Sequence, residues 1–436
     1  LVEDEPIPNF ILGPATGYGR LWSEDDDLHT DDGVRVSKNS GVIALVRSFP
    51  YAVGSIAHEL GHWLGLPDLG DLSKLKGETD PSEDSAGIGF WGLMGWGTLG
   101  WDGTGTQGPT PLGAWEREQL GWVEVMEEAA PGHVHLSPVA WGGKVLKVWV
   151  RPWEYFLFEV RDPDAGYYEK GCPGRGLLVW HVDISGYQDD ERRKVVDVEC
   201  ADGRYLDAGY PLGHKPDPLA GGDNLDFWAH DEGYRRVHGG NRGDGTDLFD
   251  GVRFREFAPW TNPNTHCNDG TPSGLVVRNV RVDRTGASFD LGWEGRPELI
   301  VEKFRVFDET GDSLFEPGER GWAILQLRNG GEAPTGRVEV KLKSDSPVVA
   351  PCDTTITRFL RYVGDTARVT IPIRIALHLV PGSEEITLTA MATPEWGEGP
   401  KIQSIKLSSI IPELEVLDVE ILDGGSTGWG DGDGSL

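Results

Sequence analysis

The stretch from Ser55 to Asp68, S-I-A-H-E-L-G-H-W-L-G-L-P-D, constrains the fold more than any other part of the chain. His58 and His62 are four apart, so on a helix both imidazoles stand on one face. That helix must run through His62 and then stop abruptly. Gly65 tolerates the positive φ of a helix end, and Pro67 bars continuation. Asp68 follows Gly65 by three, where a longer H-E-x-x-H-x-x-G-x-x-H pattern would carry a third histidine. Two neutral imidazoles and a carboxylate oxygen form a zinc donor set that leaves the fourth position open, as catalytic sites do. Glu59 stands next to the first ligand, where a carboxylate can reach a water on the metal without ligating it. The spacing therefore predicts His58, His62 and Asp68 as metal ligands and Glu59 as general base. An accidental match would make the histidines ordinary packed helix residues, and the glycine and the acid at the required spacing weigh against that.

Further on, Gly89 to Trp101 read G-F-W-G-L-M-G-W-G-T-L-G-W. Met94 sits in a glycine- and aromatic-rich turn like the Met-turn of the metzincin zinc proteases, expected beneath the metal without ligating it. H-E-L-G-H-W-L-G-L-P-D-L-G-D (His58–Asp71) together with W-G-L-M-G-W-G (Trp91–Gly97) resembles the immune inhibitor A family of secreted metallopeptidases. The L-G-L-P-D ending and the aspartate as third ligand set that family apart from most metzincins. Tyr155–Arg161 (Y-F-L-F-E-V-R) and Gly176–Asp183 (G-L-L-V-W-H-V-D) are similar to the family's region beyond its protease core. The resemblance runs from about Ile7 to Leu291. It implies an extracellular zinc endopeptidase acting on protein or peptide substrates, with a catalytic domain that begins upstream of Leu1. Many metzincins add a tyrosine two residues after the methionine; here that position is Trp96, so no such role is carried over.

The expected fold class is α+β: a metzincin-like core over 1–128, incomplete at its N-terminus, then β-sandwich domains. A β-rich sandwich-like domain is expected over 129–293 and an immunoglobulin-like sandwich over 294–414. Residues 415–436 are expected to begin a second repeat, truncated here, since Ile421-Leu422-Asp423 with Asp431–Leu436 echoes Val306–Leu314. In the core, Ile7–Leu12 and Val42–Val46 read as strands. Tyr51–Leu64 reads as the metal-bearing helix, with Val53, Ile56, Leu60 and Leu64 on its buried face. A second helix is expected over Leu112–Leu120, stopped by Gly121. Later strands are expected at Lys144–Val150, Tyr155–Val160, Leu177–Val182, Leu275–Val282, Ala287–Leu291, Leu299–Val306, Trp322–Arg328, Val338–Lys343, Ala367–Ile375 and Glu385–Met391. His181 and Asp183 share one strand face; the simpler reading is a His–Asp hydrogen bond, the alternative a second metal or polar site.

A formal charge of −31 over 436 residues argues against nucleic acid and anionic membrane surfaces as partners. Solubility accounts for part of that charge and calcium for the rest, since hard cations take carboxylate and carbonyl oxygens. The candidates are Asp244 and Asp247 in N-R-G-D-G-T-D, and Asp308, Asp312 and Glu319 in D-E-T-G-D-S-L-F-E-P-G-E. The latter three, with Thr310, follow EF-hand spacing, but Ser313 replaces the required glycine. No apolar run reaches transmembrane length. Four cysteines offer no C-x-x-C pair; Cys172 with Cys200 or Cys267 fits one domain, and free buried thiols are the alternative. Two rival functions remain. One is a catalytically impaired protease-like chain acting as a surface or carbohydrate binding module, which the intact His58, Glu59, His62 and Asp68 argue against. The other is a zinc enzyme of another class with Glu83 as third ligand, which Gly65 and Met94 argue against.

Overall fold

Alternating apolar positions dominate the chain beyond residue 125, and there the described strands form sheets that are antiparallel except for one parallel pair. The computed structural model describes residues 8–14, 28–29, 35–36, 40–44, 49–70, 86–105, 107–127, 130–190, 193–203, 242–311, 315–352, 355–376 and 382–411, by backbone alone before residue 53. Asp312, Glu83 and the expected repeat at 415–436 lie outside the described residues. The expected fold class holds in its coarser form. The chain is largely β-sheet, with two α-helices among the described residues.

The first strands are β1 (Pro8–Pro14), β2 (Leu28–His29), β3 (Arg35–Val36) and β4 (Ser40–Ala44), and α1 spans Phe49–Trp63. β1 pairs with β4 and β2 with β3, both antiparallel. After the Met94 turn comes α2 (Ala114–Leu120), ended as expected by Gly121 at φ 66°. Then follow β5 (Val125–Glu127), β6 (Gly132–Leu136), β7 (Val145–Arg151), β8 (Glu154–Arg161), β9 (Gly176–Asp183), β10 (Val196–Val198), β11 (Leu275–Asp283) and β12 (Gly286–Trp293). One sheet has the order β10-β9-β8-β7-β5 and a second the order β11-β12-β6.

The larger sheet positions the site because it is covered on both faces. Every residue of β8 and β9 is buried. Leu146, Val148, Phe156, Phe158, Leu177 and Val179 pack on Val134, Leu275, Val277 and Phe289 of the smaller sheet. The alternate residues Val145, Leu157, Leu178, Trp180 and Val182 pack on Leu69, Ile88, Trp91, Met94 and Ala114. A single core thus ties the Met94 turn to the sheet, each such buried large side chain contributing about 1.5–3 kcal/mol over its exposed state.

The last part is a two-layer sandwich. Its strands are β13 (Leu299–Asp308), β14 (Arg320–Asn329), β15 (Gly336–Ser344), β16 (Val349–Pro351), β17 (Thr355–Leu360), β18 (Thr366–Ile375), β19 (Gly382–Pro394) and β20 (Lys401–Ile411). Sheets β13-β14-β18-β16 and β17-β15-β19-β20 enclose Leu325, Leu327, Val338, Val340, Ile371, Ile373, Ile386 and Leu388. Among the described residues no helix is long and apolar enough to cross a membrane.

Two expectations are corrected. None of the four cysteines is disulfide-bonded, Cys172, Cys200 and Cys267 being buried and Cys352 exposed, so the pairing of Cys172 is absent. Leu60 on α1 (47 % exposed) and Leu64 just after it (52 %) face outward instead of inward. Among the described side chains of α1 the buried positions are Gly54, Glu59 and Gly61. Small residues displace the leucines because the helix lies directly on the Met94 turn. A Cβ at Gly54 would stand 2.0 Å from the Thr98 carbonyl oxygen, and one at Gly61 2.4 Å from Met94 Sδ. Gly54→Ala is therefore expected to lower stability by about 1–3 kcal/mol through forced backbone displacement. Gly61→Ala should cost less, since Met94 can shift and alanine favours helix by about 1 kcal/mol. Thermal unfolding of the two variants checks that order.

Candidate metal centre

The end of α1 builds the site. Gly65 adopts φ 96°, its N–H bonds the His62 carbonyl at 3.0 Å, and the Leu66 N–H bonds the Gly61 carbonyl at 3.0 Å. This pair of reversed bonds is a Schellman turn, which glycine permits and which satisfies the last carbonyls of the helix. The turn brings the Leu66 carbonyl back over the helix, where it accepts the His62 Nδ1 proton at 2.8 Å. Two bonds then fix the chain beyond Asp68: Leu69 N–H to the Met94 carbonyl (2.8 Å) and Ile88 N–H to the Leu69 carbonyl (3.0 Å).

His58 donates from Nδ1 to the Leu93 carbonyl at 3.0 Å. Both imidazoles have thus committed their Nδ1 protons to carbonyls, which fixes the tautomer and leaves both Nε2 lone pairs free. Those two atoms meet at one carboxylate oxygen: Asp68 Oδ1 lies 3.0 Å from His58 Nε2 and 3.3 Å from His62 Nε2. The rings stand at 89° with centroids 4.8 Å apart. Three acceptor atoms facing one another call for a cation or a proton between them. Tetrahedral zinc with bonds of about 2.0–2.1 Å places its ligand atoms roughly 3.3 Å apart, and the two contacts of Asp68 match that spacing. Asp68 keeps 35 % of its side chain exposed, so the group is open on one side. Among the described residues this is the one cluster of three donors close enough to share a metal.

Electrostatics follow the same geometry. When protons in place of a cation occupy the two Nε2 positions, burial would raise the Asp68 carboxyl, but hydrogen bonds from the protonated His58 and His62 rings outweigh it and hold the group well below the usual carboxylate range. His62 is raised by its bond to Asp68 against the opposing effect of burial. Glu59, buried on the same helix, is raised chiefly by desolvation, with the two imidazoles pulling the other way.

Beneath His58, His62 and Asp68 lies a layer that the motif did not reveal. Met94 and Trp91 are fully buried, and Trp96 is half-buried. Arg161 on β8 donates to the Trp91 carbonyl (2.5 Å), to Glu169 Oε1 (2.8 Å) and to Glu159 Oε1 (3.2 Å). Glu159 Oε1 also accepts from Trp180 Nε1 and from the Ala114 N–H at the start of α2. Glu116 accepts from the Met94 and Gly113 N–H groups. The only sequence signal for these contacts is an acid in the first turn of α2 and charges inside otherwise apolar strands.

The acidic candidates fall into two places. Asp247 is buried and accepts from Trp91 Nε1 (2.7 Å) and the Asp244 N–H (2.9 Å); burial and the Asp244 charge push it up to about 8. Asp244 accepts from both the N–H and the hydroxyl of Thr246. In the β13–β14 loop, Glu319 accepts from Thr310 and Glu316, and Asp308 from Gly311. His181 and Asp183 do not bond to each other as expected. His181 reaches Glu199 and Glu154, while Asp183 pairs with Arg193 and Ser185. The partners come from neighbouring strands and loops, which offer better-aligned acids than a residue two positions along the same strand.

No family model matches the chain, and no curated protein matches it. Among solved structures, the chain is similar to the CsuC–CsuE chaperone–tip adhesion subunit pre-assembly complex of archaic chaperone-usher Csu pili from Acinetobacter baumannii. That likeness has 12 % identity, covers 25 % of this chain and 56 % of that one, and has a TM-score of 0.17. It is also similar to the native conformation of E. coli alpha-2-macroglobulin, at 12 % identity over 59 % of this chain and 19 % of that one, with a TM-score of 0.19. Likenesses at this level carry no argument about function.

Proposed function

We propose that this chain is a secreted zinc-dependent endopeptidase of the immune inhibitor A type, with a metzincin-like core, hydrolysing peptide bonds of protein substrates. One observation carries the reading: both Nε2 lone pairs and Asp68 Oδ1 converge beside a buried carboxylate, Glu59. Zinc held by His58, His62 and Asp68 would supply Lewis acidity toward a carbonyl and lower the pKa of a water. Glu59 takes the proton from the attacking water on its carboxylate and delivers it to the leaving amine. The Leu93 and Leu66 carbonyls hold the two imidazoles in the tautomer that exposes Nε2, and Met94 fills the space under the helix at Gly61. Two histidines and a carboxylate also suit Fe(II); the acid next to the first histidine favours hydrolysis. The reading includes calcium in the acidic loops around Asp247 and Asp308.

Metal analysis together with casein hydrolysis tests this. One zinc per chain, casein cleavage and loss of both on Asp68→Ala are expected. A well-folded chain without zinc, or with iron in its place, overturns the proposal; the same analysis counts calcium.

A further inference from the structure

We propose that Glu116 is a positioning residue for the metal centre, acting on His58 through the one peptide unit that joins Leu93 to Met94. The inference rests on the reading of His58, His62 and Asp68 as metal ligands. His58 Nδ1 donates to the Leu93 carbonyl at 3.0 Å. The N–H of that same peptide, on Met94, donates to Glu116 Oε1 at 2.5 Å. A carboxylate, a peptide and an imidazole therefore lie in series. Hydrogen bonds at the two ends of one peptide polarise each other by roughly 10–30 %. A more negative carbonyl draws harder on the Nδ1 proton and makes Nε2 a more basic ligand, as carboxylate partners of metal-bound histidines do directly.

The surroundings are built for this contact. Glu116 is 1 % exposed, and its second oxygen accepts the Gly113 N–H, so both oxygens are held. Glycine at position 92 leaves the necessary room, since a Cβ there would meet Glu116 Oε2 at 2.7 Å and Ile88 Cδ1 at 2.5 Å. His62 differs: its Nδ1 acceptor is the Leu66 carbonyl at the end of its own helix. The carboxylate in α2 thus singles out one of the two imidazoles.

The test compares Glu116→Gln with the unmutated chain in zinc affinity by chelator competition and in imidazole ¹⁵N resonances of the metal-free protein. A loss of zinc affinity of about 10–100-fold is expected. A shift of the His58 Nδ1 resonance with His62 unmoved is expected alongside it. Unchanged affinity and unmoved His58, with only a lower melting temperature, would reduce Glu116 to a structural cap and overturn the proposal. Should the glutamine variant not fold, Glu116→Asp carries the same comparison, and unchanged affinity there has the same meaning. If the unmutated chain binds no zinc, the metal reading fails, and the His58 resonance still decides whether Glu116 acts on that ring.

Discussion

Glu59→Gln is expected to keep zinc bound while lowering kcat/KM on casein by about 10²–10⁴-fold, the usual contribution of a general base. That factor corresponds to roughly 3–5 kcal/mol of lost transition-state stabilisation. Glutamine matches glutamate in size, so the packing of α1 on the Met94 turn survives, and only the proton acceptor is removed. Zinc persists because the three converging donors are His58, His62 and Asp68, with Glu59 outside that set. Glu59 lies one residue from His58 on a buried flank of the helix, and desolvation raises its pKa toward the range where a base is most effective. Glu59→Asp keeps the charge but withdraws it by one methylene, so an intermediate rate is expected. A glutamine variant that cleaves casein at the unmutated rate would remove Glu59 from the mechanism. One that loses its zinc would make it a ligand or a structural anchor.

The parts of the site that are local in sequence were legible, and the parts that depend on distant chain were not. His58, Glu59, His62, Gly65, Pro67 and Asp68 lie within eleven positions, so helix periodicity and the need for a positive φ at Gly65 sufficed to group three donors. The strands β8 and β9 were legible within a residue or two because long apolar runs flanked by turn residues leave few alternatives. The orientation of α1 was misread for a physical reason. Periodicity places apolar residues inward, but a helix seated on a backbone turn selects for small residues at the contact, here Gly54 and Gly61. The Leu93 carbonyl, Glu116, Arg161 and Glu159 lie 35 to 103 positions from His58, where one sequence carries no pairing signal. The short strands β16 and β17 were missed because three to six residues hold too little alternation to register.

His181→Ala is expected to destabilise the chain by about 3–5 kcal/mol, the usual cost of removing one partner from a buried ionic group. The imidazole lies inside the larger sheet with Nδ1 2.9 Å from Glu199 Oε1 and Nε2 2.8 Å from Glu154 Oε1, and its ring packs on Phe156 at 4.4 Å. Carboxylates only accept, so both ring nitrogens must donate and the ring is an imidazolium. Burial alone would lower its pKa, but the hydrogen bonds and charges of the two glutamates push it up to about 9. The unfolded value is near 6.5, so the stabilisation is fully present below about pH 6.5 and fades as pH rises through 9. About 3 kcal/mol should be lost across that window. Burial pushes the neighbouring Cys267 thiol up to about 12, above the window, and the Arg151 guanidinium near Glu154 stays charged throughout it. Without the imidazolium, two buried carboxylates would face each other, with the Asn268 N–H, the Cys267 thiol and the Arg151 guanidinium 3.8 Å away left beside Glu154. Melting temperatures of the two proteins between pH 6 and pH 9.5 decide the matter. The unmutated chain should fall steeply and the alanine variant should stay comparatively flat; parallel curves would mean that His181 is neutral in the folded chain and that the pair of glutamates shares a proton instead.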